Sequence, residues 1–252
     1  MGSTVSRDGT RIGFSRVGTG PAVVLVDGAC CFRASGPMGA LAEALSGSFT
    51  VSTYDRRGRG DSGDTAPYAV GREVEDLAAV VEAAGGAAFA HGFSSGAVLA
   101  LHAAAAGVPL RAVALLEPPL SFEPDAGPDV RPEIEALVAA GRRGDALARF
   151  QLACGMPEEV VAGARRSPGR PVLEALAHTT AYDLTVTATV PDLAAVAAPA
   201  LVLDSSGSDP RLRAWADGVA ARLPGAARRT VPGEWHGVAP DVLAPVLADF
   251  FS

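Results

Sequence analysis

The chain has 252 residues, 48% hydrophobic and 19% charged, with a formal net charge of -7 at pH 7. That length and apolar content suit one large α/β domain or two small ones, and exclude a disordered, collagen-like or coiled-coil chain. With 28 acidic against 21 basic residues, there is no charge excess to attract phosphate backbones or anionic lipid, so neither nucleic acid nor a membrane surface is an expected partner.

The opening residues, MGSTVSRDGT, carry no basic stretch followed by an apolar core, and no run of about 20 apolar residues occurs. A soluble, cytoplasmic protein is expected. Cys30, Cys31 and Cys154 are too few and too unevenly placed for a disulfide framework, and no paired CxxC spacing suggests zinc. Every basic residue is Arg, which removes Schiff-base and P-loop lysines from consideration.

In chain order, Thr4 to Arg7 and Arg11 to Arg16 flank the turn dipeptide Asp8-Gly9 and predict an antiparallel hairpin. Short apolar runs then predict buried strands at Val23 to Val26, Phe49 to Tyr54, Ala87 to Ala90, Ala112 to Leu116, Ala200 to Leu203 and Ala227 to Val231. Helical spacing separates them. Val70, Val74, Leu77 and Val81 form one stripe, Leu212, Trp215 and Val219 another, and Val242, Leu243, Val246, Leu247 and Phe250 a third. Ser95 to Ala106 is apolar all round, which predicts a central buried helix. Strands alternating with helices imply a parallel sheet covered on both faces. From Ser121 to about Ala197 the strand pattern stops, and Pro132, Pro157 and Pro171 stand where helices can begin. Residues 121–197 are therefore expected to form a helical cap, with 1–120 and 198–252 as the core.

The segment AAFAHGFSSGAVLA joins a strand to a helix through Gly92-Phe93-Ser94-Ser95-Gly96, the context that a GxSxG nucleophile elbow requires. Glycines two residues either side of Ser94 relieve the crowding under a sharp turn. A serine hydroxyl needs a base, and four histidines compete. His91 ends a strand, His102 lies on the buried helix and His178 in the cap; His236, in PGEWHG after the last strand, stands where the order Ser, acid, His puts the base. The third member is a carboxylate that orients the imidazole. Asp209, in DSSGSDP, is the expected acid because that loop can reach His236, with Asp204 and Glu117 as alternatives. The oxyanion donors are expected to be the backbone N–H groups of Ser95 and Ala29.

The motifs VVLVDG, YDRRGRGDS (Tyr54 to Ser62), GFSSG, PALVLDSSGSDP and GEWHG together resemble the α/β-hydrolase fold superfamily, of the capped serine esterase and non-heme haloperoxidase-like type. The likeness spans essentially the whole chain. It implies an eight-stranded, mostly parallel sheet with helices on both faces, a helical cap after strand six, a Ser, Asp and His triad, and no cofactor. The chain departs from the pattern at Asp27-Gly28, where relatives usually carry His-Gly. The loop after strand seven is one residue longer than the common pattern, so strict alignment puts Ser208 where the acid usually stands. Arg59-Gly60-Asp61 reads as part of the DxRGxGxS loop, not as an adhesion tripeptide, and Cys30 and Cys31 as packed side chains.

The expected activity is a serine hydrolase cleaving a small-molecule ester, thioester or lactone through an acyl-enzyme on Ser94. The alternatives are a tailoring enzyme that uses the same site for cyclisation, elimination or acyl transfer, and a ligand-binding protein with little turnover. Leu137, Phe150, Leu152, Leu173, Leu176 and Tyr182 suggest an apolar acyl or ring-system substrate. A monomer or homodimer is expected.

Overall fold

The computed structural model describes residues 1–123 and 128–252. Residues 124–127 of the expected cap lie outside the described residues. The hairpin forms as β1 (Gly2–Val5) and β2 (Arg11–Val17), turning at Gly9 with a φ of 88°. It is followed by β3 (Ala22–Val26), β4 (Thr50–Tyr54), β5 (Ala88–Phe93), β6 (Leu110–Leu116), β7 (Ala200–Ser205) and β8 (Ala227–Val231). The eight strands lie in the order β1-β2-β4-β3-β5-β6-β7-β8; β2 runs antiparallel to β1 and β4, and the other pairings are parallel.

Strand alternation explains the two layers of core. Val24 and Val26 of β3 join one apolar cluster with α2 (Val70–Ala83), α3 (Ser95–Ala105) and α9 (Pro210–Ala220). Val23 and Leu25 join the opposite cluster with α1 (Met38–Leu45) and α10 (Pro240–Phe250). Both faces are buried, which is why these strands read as continuous apolar runs. The chain leaves β3 toward β4 on one side and returns to β5 on the other. That reversal opens a crevice at the carboxyl ends of β3 and β5, where ligands bind in open α/β sheets.

β1 lies two residues earlier than the expected Thr4 to Arg7, and two further elements differ from expectation. β5 continues past Ala90 through His91 and Gly92 to Phe93, because these residues pair in register with Ala114, Leu115 and Leu116. The polar His and the Gly broke the apolar run but not the ladder. The short α1 was not singled out by spacing, yet it buries Met38, Leu41, Ala42 and Leu45.

Between β6 and β7 the described residues are helical: α4 (Arg131–Ala139), α5 (Arg143–Ala153), α6 (Glu158–Ala164), α7 (Arg170–Ala175) and α8 (Thr179–Ala188). Pro132 and Pro171 sit in the first turns of α4 and α7, and Pro157 precedes α6. Ile134, Phe150, Ala177 and Ala181 form a small cluster onto which Ala29 and Cys30 pack, so these helices lie over the loop after β3. Among the described residues no helix is long and apolar enough to cross a membrane.

Candidate active site

Ser94 occupies the bend between β5 and α3 with a φ of 55° and ψ of -127°. A side chain at Gly92 would meet Ala97 Cα at 2.6 Å, and one at Gly96 would run into the Val26 and Asp27 carbonyls. Only glycine lets strand, bend and helix approach so closely. The bend lifts the Ser94 hydroxyl to 3.0 Å from Nε2 of His236. His236 itself rides a tight turn closed by reciprocal Glu234 and Gly237 backbone bonds of 3.0 and 3.3 Å.

The carboxylate at His236 is Glu117, not Asp209. Nδ1 of His236 lies 2.6 Å from Oε2 of Glu117, the residue that follows β6. The other oxygen, Oε1, accepts the Ser205 N–H at 2.8 Å and the Ser208 hydroxyl. Ser208 in turn accepts the His236 N–H at 3.1 Å. The position that alignment assigns to the acid therefore holds a hydroxyl that clasps both Glu117 and His236. Asp209 is committed elsewhere: Oδ1 caps α9 by accepting the Leu212 N–H at 2.9 Å, and Oδ2 accepts from the Trp235 indole at 3.3 Å. Asp204 pairs with Arg228 at 2.6 Å. A carboxylate on β6 can serve because β6 neighbours β5, and glutamate has one more methylene with which to reach across.

The remaining histidines lie outside the chain from Ser94 through His236 to Glu117. His91 is fully buried and bonds Ala114 O at 3.1 Å. His102 bonds Thr189 O at 2.9 Å, tying α3 to the residue after α8. His178 meets Arg143 at 2.8 Å.

Ser95 begins α3, so its N–H belongs to the first helical turn and has no intrahelical acceptor. Gly28 crosses close by: a side chain there would stand 3.1 Å from Ser94 Cβ. The loop carrying Gly28 and Ala29 is braced from beneath by a charge network not foreseen from the sequence. Arg59 donates to the carbonyls of Gly28 at 2.6 Å and Cys31 at 3.1 Å, and binds both oxygens of Asp183 at 2.8 Å. Arg56 forks onto Glu73 at 2.7 and 2.8 Å, and also reaches Asp183 at 2.7 Å and the Asp27 carbonyl at 3.3 Å. The Ser95 hydroxyl donates to Asp183 at 2.7 Å. Burial would raise the Asp183 pKa, but Arg59 and Arg56 outweigh it and hold the carboxyl below its usual range. The available sequence signal was three arginines within YDRRGRGDS, all of them buried.

Arg59 is buried to 1% exposure, which rules out the adhesion tripeptide. Burial pushes the Cys31 thiol up to about 12 and Cys30 higher still, so neither is a thiolate at neutral pH. Asp27 is buried, its Oδ1 has no hydrogen-bond partner, and burial raises its pKa to about 7 against the pull of Arg59 and Arg56. Among the described residues no group of three His, Cys, Asp or Glu side chains is arranged to hold a metal ion.

A doubly covered, mostly parallel sheet with a hydrogen-bonded Ser, His and carboxylate at its topological switch point defines an α/β hydrolase fold. The model of the alpha/beta hydrolase family matches residues 21–246, and the chain belongs to that family. An α/β hydrolase from Sphaerobacter thermophilus is 48% identical, with a TM-score of 0.92 and 100% of both chains covered. A thermophilic esterase from Thermogutta terrifontis is 21% identical, with a TM-score of 0.75 over 99% of this chain and 97% of that one. The enol-lactonase of Burkholderia xenovorans is 19% identical, with a TM-score of 0.72 over 99% of each chain. Both share the fold. Among curated proteins nothing matches the chain.

Proposed function

We propose that the protein hydrolyses a small-molecule ester, thioester or lactone through an acyl-enzyme on Ser94. The observation that carries this reading is the unbroken chain from Ser94 Oγ through the His236 ring to Glu117, at 3.0 and 2.6 Å. His236 Nε2 takes the hydroxyl proton as Ser94 Oγ bonds to the substrate carbonyl carbon. Glu117 holds Nδ1–H and stabilises the imidazolium that results. The carbonyl oxygen, now negative, sits between the N–H groups of Ser95 and Ala29. The tetrahedral adduct collapses by breaking the bond to the leaving oxygen or sulfur, which receives the proton from His236. Water then repeats the sequence with His236 as base, releasing the acid and restoring the Ser94 hydroxyl.

The helices between β6 and β7 serve as the cap over this site in the proposal. Their apolar cluster over Ala29 and Cys30 supports an apolar acyl or ring group. The esterase and enol-lactonase neighbours are consistent with carboxylic ester chemistry but share only the fold. Three free cysteines fit a reducing, cytoplasmic setting.

The test is a fluorophosphonate probe combined with a series of p-nitrophenyl esters, wild type beside Ser94→Ala. Labelling and turnover that vanish together in the variant are expected. Ester turnover that survives Ser94→Ala rejects the acyl-enzyme, and labelling without turnover of any ester or thioester points to transfer chemistry instead.

A further inference from the structure

Among the described residues, Trp235 is the only Phe, Tyr or Trp side chain left exposed, at 49%. It immediately precedes His236 in the turn closed between Glu234 and Gly237, and its ring centre lies 5.5 Å from that of the His236 imidazole. A single exposed aromatic is ordinary on a protein surface. This one is anchored. Its Nε1–H donates to Asp209 Oδ2 at 3.3 Å, and Oδ1 of the same carboxylate accepts the Leu212 N–H in the first turn of α9. Arg211, in that turn, donates to the Cys154 carbonyl at the end of α5 at 2.7 Å, so the helices between β6 and β7 meet the core at the same rim.

The indole therefore has its polar edge answered while much of its apolar surface stays uncovered. Among the described residues the one ring packed on it is that of His236, and no arginine lies over it; Arg211 covers Trp215 instead. The surroundings of the imidazole place it further. Nδ1 faces the buried Glu117, Nε2 faces Ser94, and the Phe93 ring lies 4.7 Å away by ring centres. Trp235 forms the exposed flank of the imidazole.

We propose that Trp235 determines leaving-group specificity, its indole stacking on an aryl ring bonded to the leaving oxygen or sulfur of the substrate. The inference rests on the hydrolytic reading and names its substrate class, an aryl ester or aryl thioester. When the tetrahedral adduct collapses, His236 Nε2 gives its proton to the leaving atom, which then stands beside the imidazole. A ring on that atom reaches the neighbouring indole, and aromatic rings attract in offset or edge-on arrangements with centres about 4.5–7 Å apart. An indole already held by Asp209 loses little freedom on binding, so the contact appears as affinity. An alkyl leaving group offers no ring to stack.

Phenyl butyrate, ethyl butyrate and ethyl phenylacetate, assayed on wild type, Trp235→Ala and Trp235→Phe, test the assignment. Trp235→Ala should lower the kcat/KM ratio of phenyl to ethyl butyrate about three- to tenfold, mainly through KM, and Trp235→Phe should keep most of that ratio. Equal losses on the two butyrates, carried by kcat, would mean that the indole only steadies the His236 turn and would overturn the proposal. A fall confined to ethyl phenylacetate would put the indole on the acyl side and overturn it equally. Binding gives a readout without turnover. The chain has two tryptophans, so Trp215→Phe leaves Trp235 as its sole indole. Phenol should quench that fluorescence saturably, with cyclohexanol at least threefold weaker. Quenching by phenol in a protein that turns over no ester rejects the hydrolytic reading and keeps the aryl-binding surface. Ester turnover without phenol quenching, and with the phenyl to ethyl ratio unmoved in Trp235→Ala, rejects the aryl surface alone.

Discussion

Among the described residues, four other than glycine have a positive φ: Cys30 at 59°, Ser94 at 55°, Glu117 at 49° and His236 at 50°. All four belong to this site or its flanking loop. Such conformations cost on the order of 1–3 kcal/mol each and persist only where the surroundings over-determine them. Here the surroundings are the β5–α3 bend, the Glu234–Gly237 turn and the Glu117 backbone N–H bonded to Leu203 O at 2.9 Å. Glu117→Gln retains shape but removes the charge that answers the imidazolium, and we expect kcat on a p-nitrophenyl ester to fall about 10⁴-fold. Asp209→Asn should stay within a few-fold of wild type, because asparagine also caps helices well. The reverse ranking of the two variants would return the acid to Asp209. Ser94 and His236 were legible because glycine spacing and position after the last strand are local signals. Glu117 was legible only as an alternative to Asp209, because which strand end faces His236 depends on the sheet order.

At the scale of elements, one carboxylate of α8 gathers several of its polar contacts to the core. Asp183 receives Arg56, Arg59 and Ser95 together, and Arg59 in turn grips the carbonyls of Gly28 and Cys31. The helices above the site and the loop beneath them therefore share one buried network. Breaking a buried pair by deleting one partner leaves a charge unanswered and costs about 3–5 kcal/mol. Asp183→Ala should lose about that much in urea denaturation. Asp183→Asn, assayed where it is fully folded, should lose roughly 10- to 100-fold in kcat with KM little changed, if the Ala29 N–H serves as the proposed oxyanion donor and drifts when its loop loses this brace. An unaltered kcat would make Asp183 a purely structural anchor. Aspartate in a helical stretch reads as surface, so its role could not be anticipated without the partners that fold against it.

For the molecule as a whole, Asp27 links stability to pH. Its folded-state pKa of about 7 stands above the ordinary 3.8, so the native protein holds this proton more tightly than the unfolded chain does. The corresponding stabilisation is complete below about pH 4, declines as pH rises, and is gone above about pH 7. At roughly 1.4 kcal/mol per unit, the loss across that window is on the order of 4 kcal/mol. Asp27→Asn removes the titration, so its stability relative to wild type should rise between pH 5 and pH 8, as read from urea midpoints for both proteins. Wild type and variant moving in parallel would show that Asp27 ionises freely in the fold.

Periodicity and local steric rules were sufficient to locate the strands, though not the full length of β5, and for the all-round buried α3, the proline-started helices and the elbow, since each is decided within about ten residues of chain. Contacts between distant segments were decided only by folding. The step from Glu117 to His236 spans 119 residues, and that from Arg59 to Asp183 spans 124. A single sequence records no trace of such pairings, because charge and hydrogen bonding act through space once the sheet order has brought the groups together.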